Sequence, residues 1–332
     1  MSVGQEKSLV FCVVAGSSVH NLENQNKMRI FCRTLRKIPS FQNDIFKNNS
    51  YKLQRANYSS DITPIKMAVN VFESKSTDPN ASPLMIMHGL FGSKQNWRGI
   101  SKALESKTKR KIYNVDARNH GDSPHVPEHN SACMSADIAL LMQEENLKRI
   151  SVMGHSMGGR TMMYFALKYP ELVEKAIIVD ISPVSIPKNF GLMEDIFFAM
   201  KNMKVSPDLP MADGRAIVER QMKEVVHDKE TVDFIMLNLR KLKTGEFVWG
   251  PNVAALNANF SHFRAQTFDM PPFNGPVLFI GGKRSDFLDP ADWPKIKELF
   301  PNAELEWLDA GHLVHFDQPA KFMDLVCNFL KS

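Results

Sequence analysis

Two unbroken apolar runs, "AIIVDI" at 176–181 and "VLFIGG" at 277–282, most constrain what this chain can fold into. A strand with water on one face alternates apolar and polar residues. An uninterrupted run therefore suits a strand covered on both faces, as in the middle of a parallel sheet. Shorter β-type runs stand at 67–72, 84–87, 111–115, 150–153 and 305–308. Between them, "NWRGISKALESK", "SACMSADIALLMQEEN", "GGRTMMYFALKY", "ADWPKIKELF" and "KFMDLVCNFL" repeat apolar residues at helical spacing. This alternation predicts an α/β architecture, a doubly wound and mostly parallel sheet. Ligands of such sheets sit outside the carboxyl ends of the strands.

The alternation stops at 183–275, where the spacing predicts helices alone: "GLMEDIFFAMKNMKV", "DGRAIVERQMKEVVH", "ETVDFIMLNLRKL" and "FVWGPNVAALNANF". The expected organisation is an N-terminal extension at 1–65, a core at 66–182 and 276–332, and a helical cap at 183–275. Met193, Met200, Met203, Met222 and Met236 fall on the cap. Such residues fill a core, and flexible thioethers also suit acyl chains of varied shape.

Charge separates the extension from the body. The net charge of +5 hides +6 within residues 28–60 and zero within 1–27, which leaves residues 61–332 at −1. A nearly neutral body argues against a nucleic-acid surface. Segment 28–60 is rich in arginine, contains serine and has Asp44 as its single acid. That is the composition of a mitochondrial transit segment, and it predicts a mitochondrial location. No apolar run reaches the roughly 18–20 residues that span a bilayer. Cys12, Cys32, Cys133 and Cys327 have neither C-x-x-C nor metal-ligand spacing, so free thiols are expected and no metal.

The chemistry centres on "VMGHSMGGRT" at 152–161. Ser156 follows a strand, precedes a helix and is flanked at two residues' distance by Gly154 and Gly158, the setting of a nucleophile elbow. A serine hydroxyl is a weak nucleophile until a base takes its proton. "LEWLDAGHLVHF" supplies His312 on the loop after the last strand, with His315 as its rival. His155 is expected to pack or bond locally. The acid that orients the base has two candidates at strand ends, Asp180 in "AIIVDISP" and Asp286 after "VLFIGGKRSD". The amides of Met157 and Leu90 are the expected oxyanion donors, with Phe91 next, and His88 is expected to brace that loop. In "NVDARNHGDSP", Asp116, Arg118, His120, Gly121 and Ser123 read as a loop scaffold beside the pocket.

Together, "HGLFGS", "DARNHGDSP", "GHSMGG", "VDISP" and "AGH" resemble the α/β-hydrolase fold family, in family order across 66–331. "RNHG", with asparagine where most members have glycine, resembles more narrowly the alpha/beta-hydrolase domain-containing protein 11 group and its bacterial esterase relatives. The resemblance implies a metal- and cofactor-independent serine hydrolase acting on lipid esters such as diacylglycerol, in mitochondria. Members of the narrower group share "VDISP" and need not carry an aspartate at the place of Asp286, which favours Asp180. The rival readings are a thioesterase and a binding or partner-protecting module with its triad intact.

Overall fold

The computed structural model describes residues 62–332, apart from Asn189 and Gln266. The transit-like segment 28–60, Cys12 and Cys32 lie outside the described residues. The strands in chain order are β1 (Val69–Phe72), β2 (Leu84–Met87), β3 (Ile112–Val115), β4 (Ile150–His155), β5 (Val173–Val179), β6 (Leu239–Lys241), β7 (Phe247–Trp249), β8 (Val277–Gly282) and β9 (Ala303–Leu308). Seven of them form one sheet in the order β1-β3-β2-β4-β5-β8-β9. Only β1 runs antiparallel, against β3; every other pairing in this sheet is parallel.

The helices are α1 (Arg98–Thr108), α2 (Ser131–Glu144), α3 (Met157–Lys168), α4 (Gly191–Lys201), α5 (Met211–Lys223), α6 (Lys229–Met236), α7 (Val253–Ala265), α8 (Trp293–Leu299), α9 (Val314–Asp317) and α10 (Pro319–Lys331). Period-two geometry sorts the strand residues between the faces of the sheet. Leu84, Ile86, Met153, Ile177, Val179, Leu278 and Ile280 join Trp97, Leu104, Phe322 and Val326 in one buried cluster. Their neighbours Met85, Met87, Val152, Ile178 and Phe279 are buried as well, so the apolar runs are covered on both sides as expected. Side-chain caps start two helices: Asn130 accepts the Cys133 amide of α2 at 2.9 Å, and Asp228 the Thr231 amide of α6 at 2.8 Å. Among the described residues, no helix is long and apolar enough to cross a membrane.

The insertion between β5 and β8 carries α4 to α7 and a second apolar cluster, which includes Ile196, Phe197, Met200, Val218, Met222, Ile235 and Phe260. Met200, Met222 and Met236 fill this cluster, whereas Met193 reaches the pocket described below. The insertion is not helical throughout, because β6 and β7 pair antiparallel, Leu239 opposite Trp249. "KTGEFVW" holds the reason, a glycine turn with Gly245 at φ +94° followed by β-favouring residues. Strand ends also shift. β4 continues to His155, and β5 stops at Val179, so Asp180 stands just beyond its strand.

Candidate active site

The elbow follows from steric limits. Ser156 sits between β4 and α3 at φ 53°, ψ −118°, a conformation that L residues rarely adopt. A Cβ on Gly154 would lie 2.3 Å from the Gly158 carbonyl oxygen, and one on Gly158 would lie 2.4 Å from that of Met87. Only glycine fits at either place. The strain is held by hydrogen bonds on both sides: the Ser156 amide donates to Val179 O, and its carbonyl accepts the Arg160 amide, each at 3.0 Å. The N-terminus of α3 begins at the next residue and favours negative charge there.

His312 and Asp180 meet. The imidazole Nδ1 lies 2.7 Å from Asp180 Oδ2. An ionised carboxylate can only accept, so Nδ1 carries the proton and Nε2 is left bare. Asp180 is fully buried and leaves β5 at φ 50°. Its Oδ1 accepts the Gly282 amide at 2.8 Å, and its Oδ2 also accepts the Ser285 hydroxyl. Asp286 points elsewhere, with Oδ2 accepting the Lys188 amide of the insertion at 3.0 Å. The difference is topological. β5 lies between β4 and β8, so its end is flanked by the elbow and by the β8 loop.

Two further contacts hold His312. Its ring stacks on Phe287, with centroids 3.5 Å apart. Its carbonyl accepts His155 Nε2 at 2.8 Å, so His155 bonds far beyond its own turn. Burial, with neighbouring histidines adding to it, pushes His155 well below the usual imidazole range and keeps it neutral. His315 is buried and stacks on Trp97 at 4.2 Å; burial drives it down to about 3, and its role is packing.

The loop after β2 is fixed by two neutral histidines. His88 Nε2 accepts the Ala117 amide at 3.1 Å, so its proton is on Nδ1, which donates to Gly89 O at 2.7 Å. His120 Nε2 accepts the Phe91 amide at 3.2 Å, and its Nδ1 donates to Arg118 O at 3.0 Å. Burial holds both imidazoles below their ordinary range. Phe91 is thereby spent as a donor. Among the described residues, the Leu90 and Met157 amides make no hydrogen bond to protein, and both residues line the same cavity as Ser156 and His312.

The scaffold loop behaves as expected. Asp116 accepts the Lys94 amide at 2.6 Å, the Lys94 ammonium and the Asp122 amide at 2.8 Å. Arg118 makes a two-pronged pair with buried Asp137, at 2.8 and 2.7 Å. Ser123 Oγ donates to Asp116 O at 2.6 Å.

The cavity measures about 150 Å³ and is mostly apolar. Leu90, Met157, Ile181, Phe287 and Leu313 line it from the core, and Phe190, Met193, Phe234, Ile235 and Phe260 from the insertion. The wall also holds Arg160, His129 and Thr231, polar residues to which the sequence motifs assign no role. Arg160 Nη1 donates to Ser182 O at 2.9 Å, its guanidinium lies 5.2 Å from the Phe268 ring, and burial lowers it to about 10. His129 stands beside Met157. Ser285 and Phe287, which hold Asp180 and His312, follow no recognisable pattern either; only their nearness to the β8 end could have suggested them.

The sequence matches the alpha/beta hydrolase fold family over residues 82–319. It is 34% identical to the sn-1-specific diacylglycerol lipase ABHD11 of Danio rerio over 283 residues, 84% of this chain and 88% of the relative. The Mus musculus protein of the same name is 35% identical, over 82% of this chain and 87% of its own length. Among solved structures, a marine microorganism esterase superposes with a TM-score of 0.73 at 29% identity, covering 80% of this chain and 99% of that one. The sheet order, the elbow and these similarities converge: the chain belongs to the alpha/beta hydrolase fold family.

Proposed function

We propose that this carboxylic ester hydrolase works through an acyl-enzyme formed on Ser156, and that it acts on lipid esters of the diacylglycerol kind. The observation that carries the reading is the shared cavity of strained Ser156 and His312, with the imidazole fixed through Nδ1 by buried Asp180. Ser156 Oγ attacks the ester carbonyl while His312 Nε2 takes its proton. The Leu90 and Met157 amides donate to the oxyanion as the C–O double bond opens. The tetrahedral intermediate collapses, the C–O bond to the alcohol breaks, and His312 passes its proton to the departing oxygen. Water then enters, gives a proton to Nε2 and attacks the acyl carbon, and the acid leaves with Ser156 restored.

Similarity to the diacylglycerol lipases supports a lipid ester, and the apolar wall supports an acyl chain. A cavity near 150 Å³ holds a benzene-sized guest, so an acyl group of about four to six carbons fits without rearrangement. Longer chains must extend through the mouth. Fluorophosphonate labelling and turnover of 4-nitrophenyl butyrate test the assignment. Ser156→Ala should lose labelling and at least about 10⁴-fold in turnover, by analogy with triad enzymes. A folded Ser156→Ala protein that keeps a tenth of the activity refutes it. We also propose a mitochondrial destination for the chain, carried by the basic composition of 28–60; loss of residues 1–60 should move a tagged protein to the cytosol.

A further inference from the structure

We infer that Ser285 and Phe287, on the loop after β8, are positioning residues that set how tightly His312 holds its proton, Ser285 loosening that hold and Phe287 tightening it. This rests on the reading of His312 as the base, and it adds the groups that tune that base.

Both residues are built into what holds the imidazole. The Ser285 hydroxyl donates to Asp180 Oδ2, the same oxygen that accepts the His312 Nδ1 proton at 2.7 Å. A hydrogen bond to a carboxylate stabilises its charge, and an oxygen that serves two donors offers less to each. The imidazolium formed when Nε2 takes a proton therefore draws less support from Asp180 than a sole donor would. Phe287 works from the ring face, lying 19° from parallel to the imidazole with centroids 3.5 Å apart. The face of a phenyl ring is negative and attracts a cation, so it favours imidazolium over neutral imidazole. The Phe287 amide donates to Ser285 Oγ at 3.2 Å, and its carbonyl accepts the Ser182 amide at 2.9 Å. The second bond keeps the ring anchored when the hydroxyl is removed. Asp180 likewise keeps its aim through the Gly282 amide, 2.8 Å from Oδ1.

The other titratable and charged groups around His312 are occupied elsewhere. His155, 4.6 Å away, and His315 are kept neutral by burial. On the loop of His312 itself, Asp309 and Asp317 both pair with Arg284. Asp286, between the two tuning residues, accepts the Lys188 amide of the insertion. Arg160, in the wall of the same cavity, bonds to Ser182 O. In the proposed reaction the base takes the Ser156 proton and then returns it to the departing alcohol. Both steps run best when its hold on a proton suits the working pH, and opposed contacts from one loop supply that balance.

The test reads the proton directly. Histidine ring signals of the full-length Ser156→Ala protein are followed by NMR from about pH 4 to about pH 9, with the His312 signal identified by its loss in a His312→Gln variant. In that background Ser285→Ala should raise the His312 midpoint by about half a unit, and Phe287→Leu, which keeps the apolar cover, should lower it by about as much. Both positions are half-buried on a loop, so the variants should fold. Ser285→Thr keeps the hydroxyl and Phe287→Tyr keeps the ring face, and each should stay within about 0.2 units of the parent. A midpoint that moves the other way, or not at all, in Ser285→Ala or in Phe287→Leu overturns the inference. So does a Thr or Tyr variant that moves as far as its Ala or Leu counterpart, since that reports a disturbed loop and not a lost group. In protein that retains Ser156, the acid limb of kcat/KM for 4-nitrophenyl butyrate should follow the same shifts. A limb that stays in place while the midpoint moves refutes His312 as the base, whereas the titration still decides on Ser285 and Phe287.

Discussion

The carboxyl end of the sheet and the insertion above it build opposite walls of one cavity by different means. On the sheet side, position is set by polar contacts in a dry environment. Asp180 and Asp116 are fully buried, and each accepts three hydrogen bonds. Buried His88, His120 and His155 are each committed through at least one ring nitrogen. On the insertion side, Thr231 apart, the wall is apolar side chains held by packing. The same segment leaves large apolar groups in water, Phe198 at 70% and Leu237 at 63% exposure. Directional bonds fix atoms to within tenths of an ångström, and dispersion contacts tolerate repacking. In the proposed reaction, chemistry therefore belongs to the rigid wall and choice of acyl group to the soft one.

The contrast can be broken from the rigid side first. Asp180→Asn keeps the shape but favours the wrong imidazole tautomer, and turnover should fall about 10⁴-fold with the protein still folded. A loss below a hundredfold in purified enzyme would mean that the polar wall does not set the chemistry.

Acid should come next in size. His129 and His315 are held at about 3 by burial, while an unfolded histidine titrates near 6.5. The unfolded chain thus binds more protons inside that window, so stability is fully present above about pH 6.5 and is lost as pH falls toward 3. Each group can contribute on the order of 4 kcal/mol across the whole window. Urea midpoints should drop steadily from pH 7 to pH 4, and His315→Phe, which can stack on Trp97 without titrating, should flatten the drop. Midpoints independent of pH would contradict neutral burial.

Smaller effects sharpen the comparison. Asp286→Asn weakens one bond to the Lys188 amide and should cost tenfold or less in turnover. Phe234→Ala, at a half-buried position of the soft wall, should raise the preference for decanoyl over butyryl esters by roughly threefold and leave the pH profile in place. A collapse of butyrate hydrolysis in that variant would show that the insertion shapes the reaction itself.

What the sequence discloses divides along the same line. The sheet is legible because period and run length are local properties of "AIIVDI" and "VLFIGG". Ser156 is legible because its glycines stand two residues away on either side. The choice between Asp180 and Asp286 is not local, since both follow strands and the sheet order decides which one meets His312. His155 finds its partner 157 positions later, a distance at which no spacing rule operates. Asn119 lies between these cases. At φ 66° it occupies a conformation that suits glycine, and its side chain adds what glycine lacks, accepting the Val126 amide at 2.8 Å and the Asn252 amide group at 3.1 Å. Sequence shows the substitution, and only the fold shows that it ties the core loop to the insertion.

Phe91 turns this architecture into an interlock. Its amide is given to His120, its carbonyl accepts Asn238 Nδ2 at 2.7 Å just beyond α6, and its ring meets Phe197 of α4 edge-on at 5.3 Å. Leu90, whose amide faces the developing negative charge in the proposed mechanism, is its immediate neighbour. Phe91 thus joins the insertion to the loop that carries that amide, a loop also held by the bond from His88 to Gly89 O. In the proposed mechanism, a guest that displaced the insertion would therefore act on the rate of bond breaking as well as on binding.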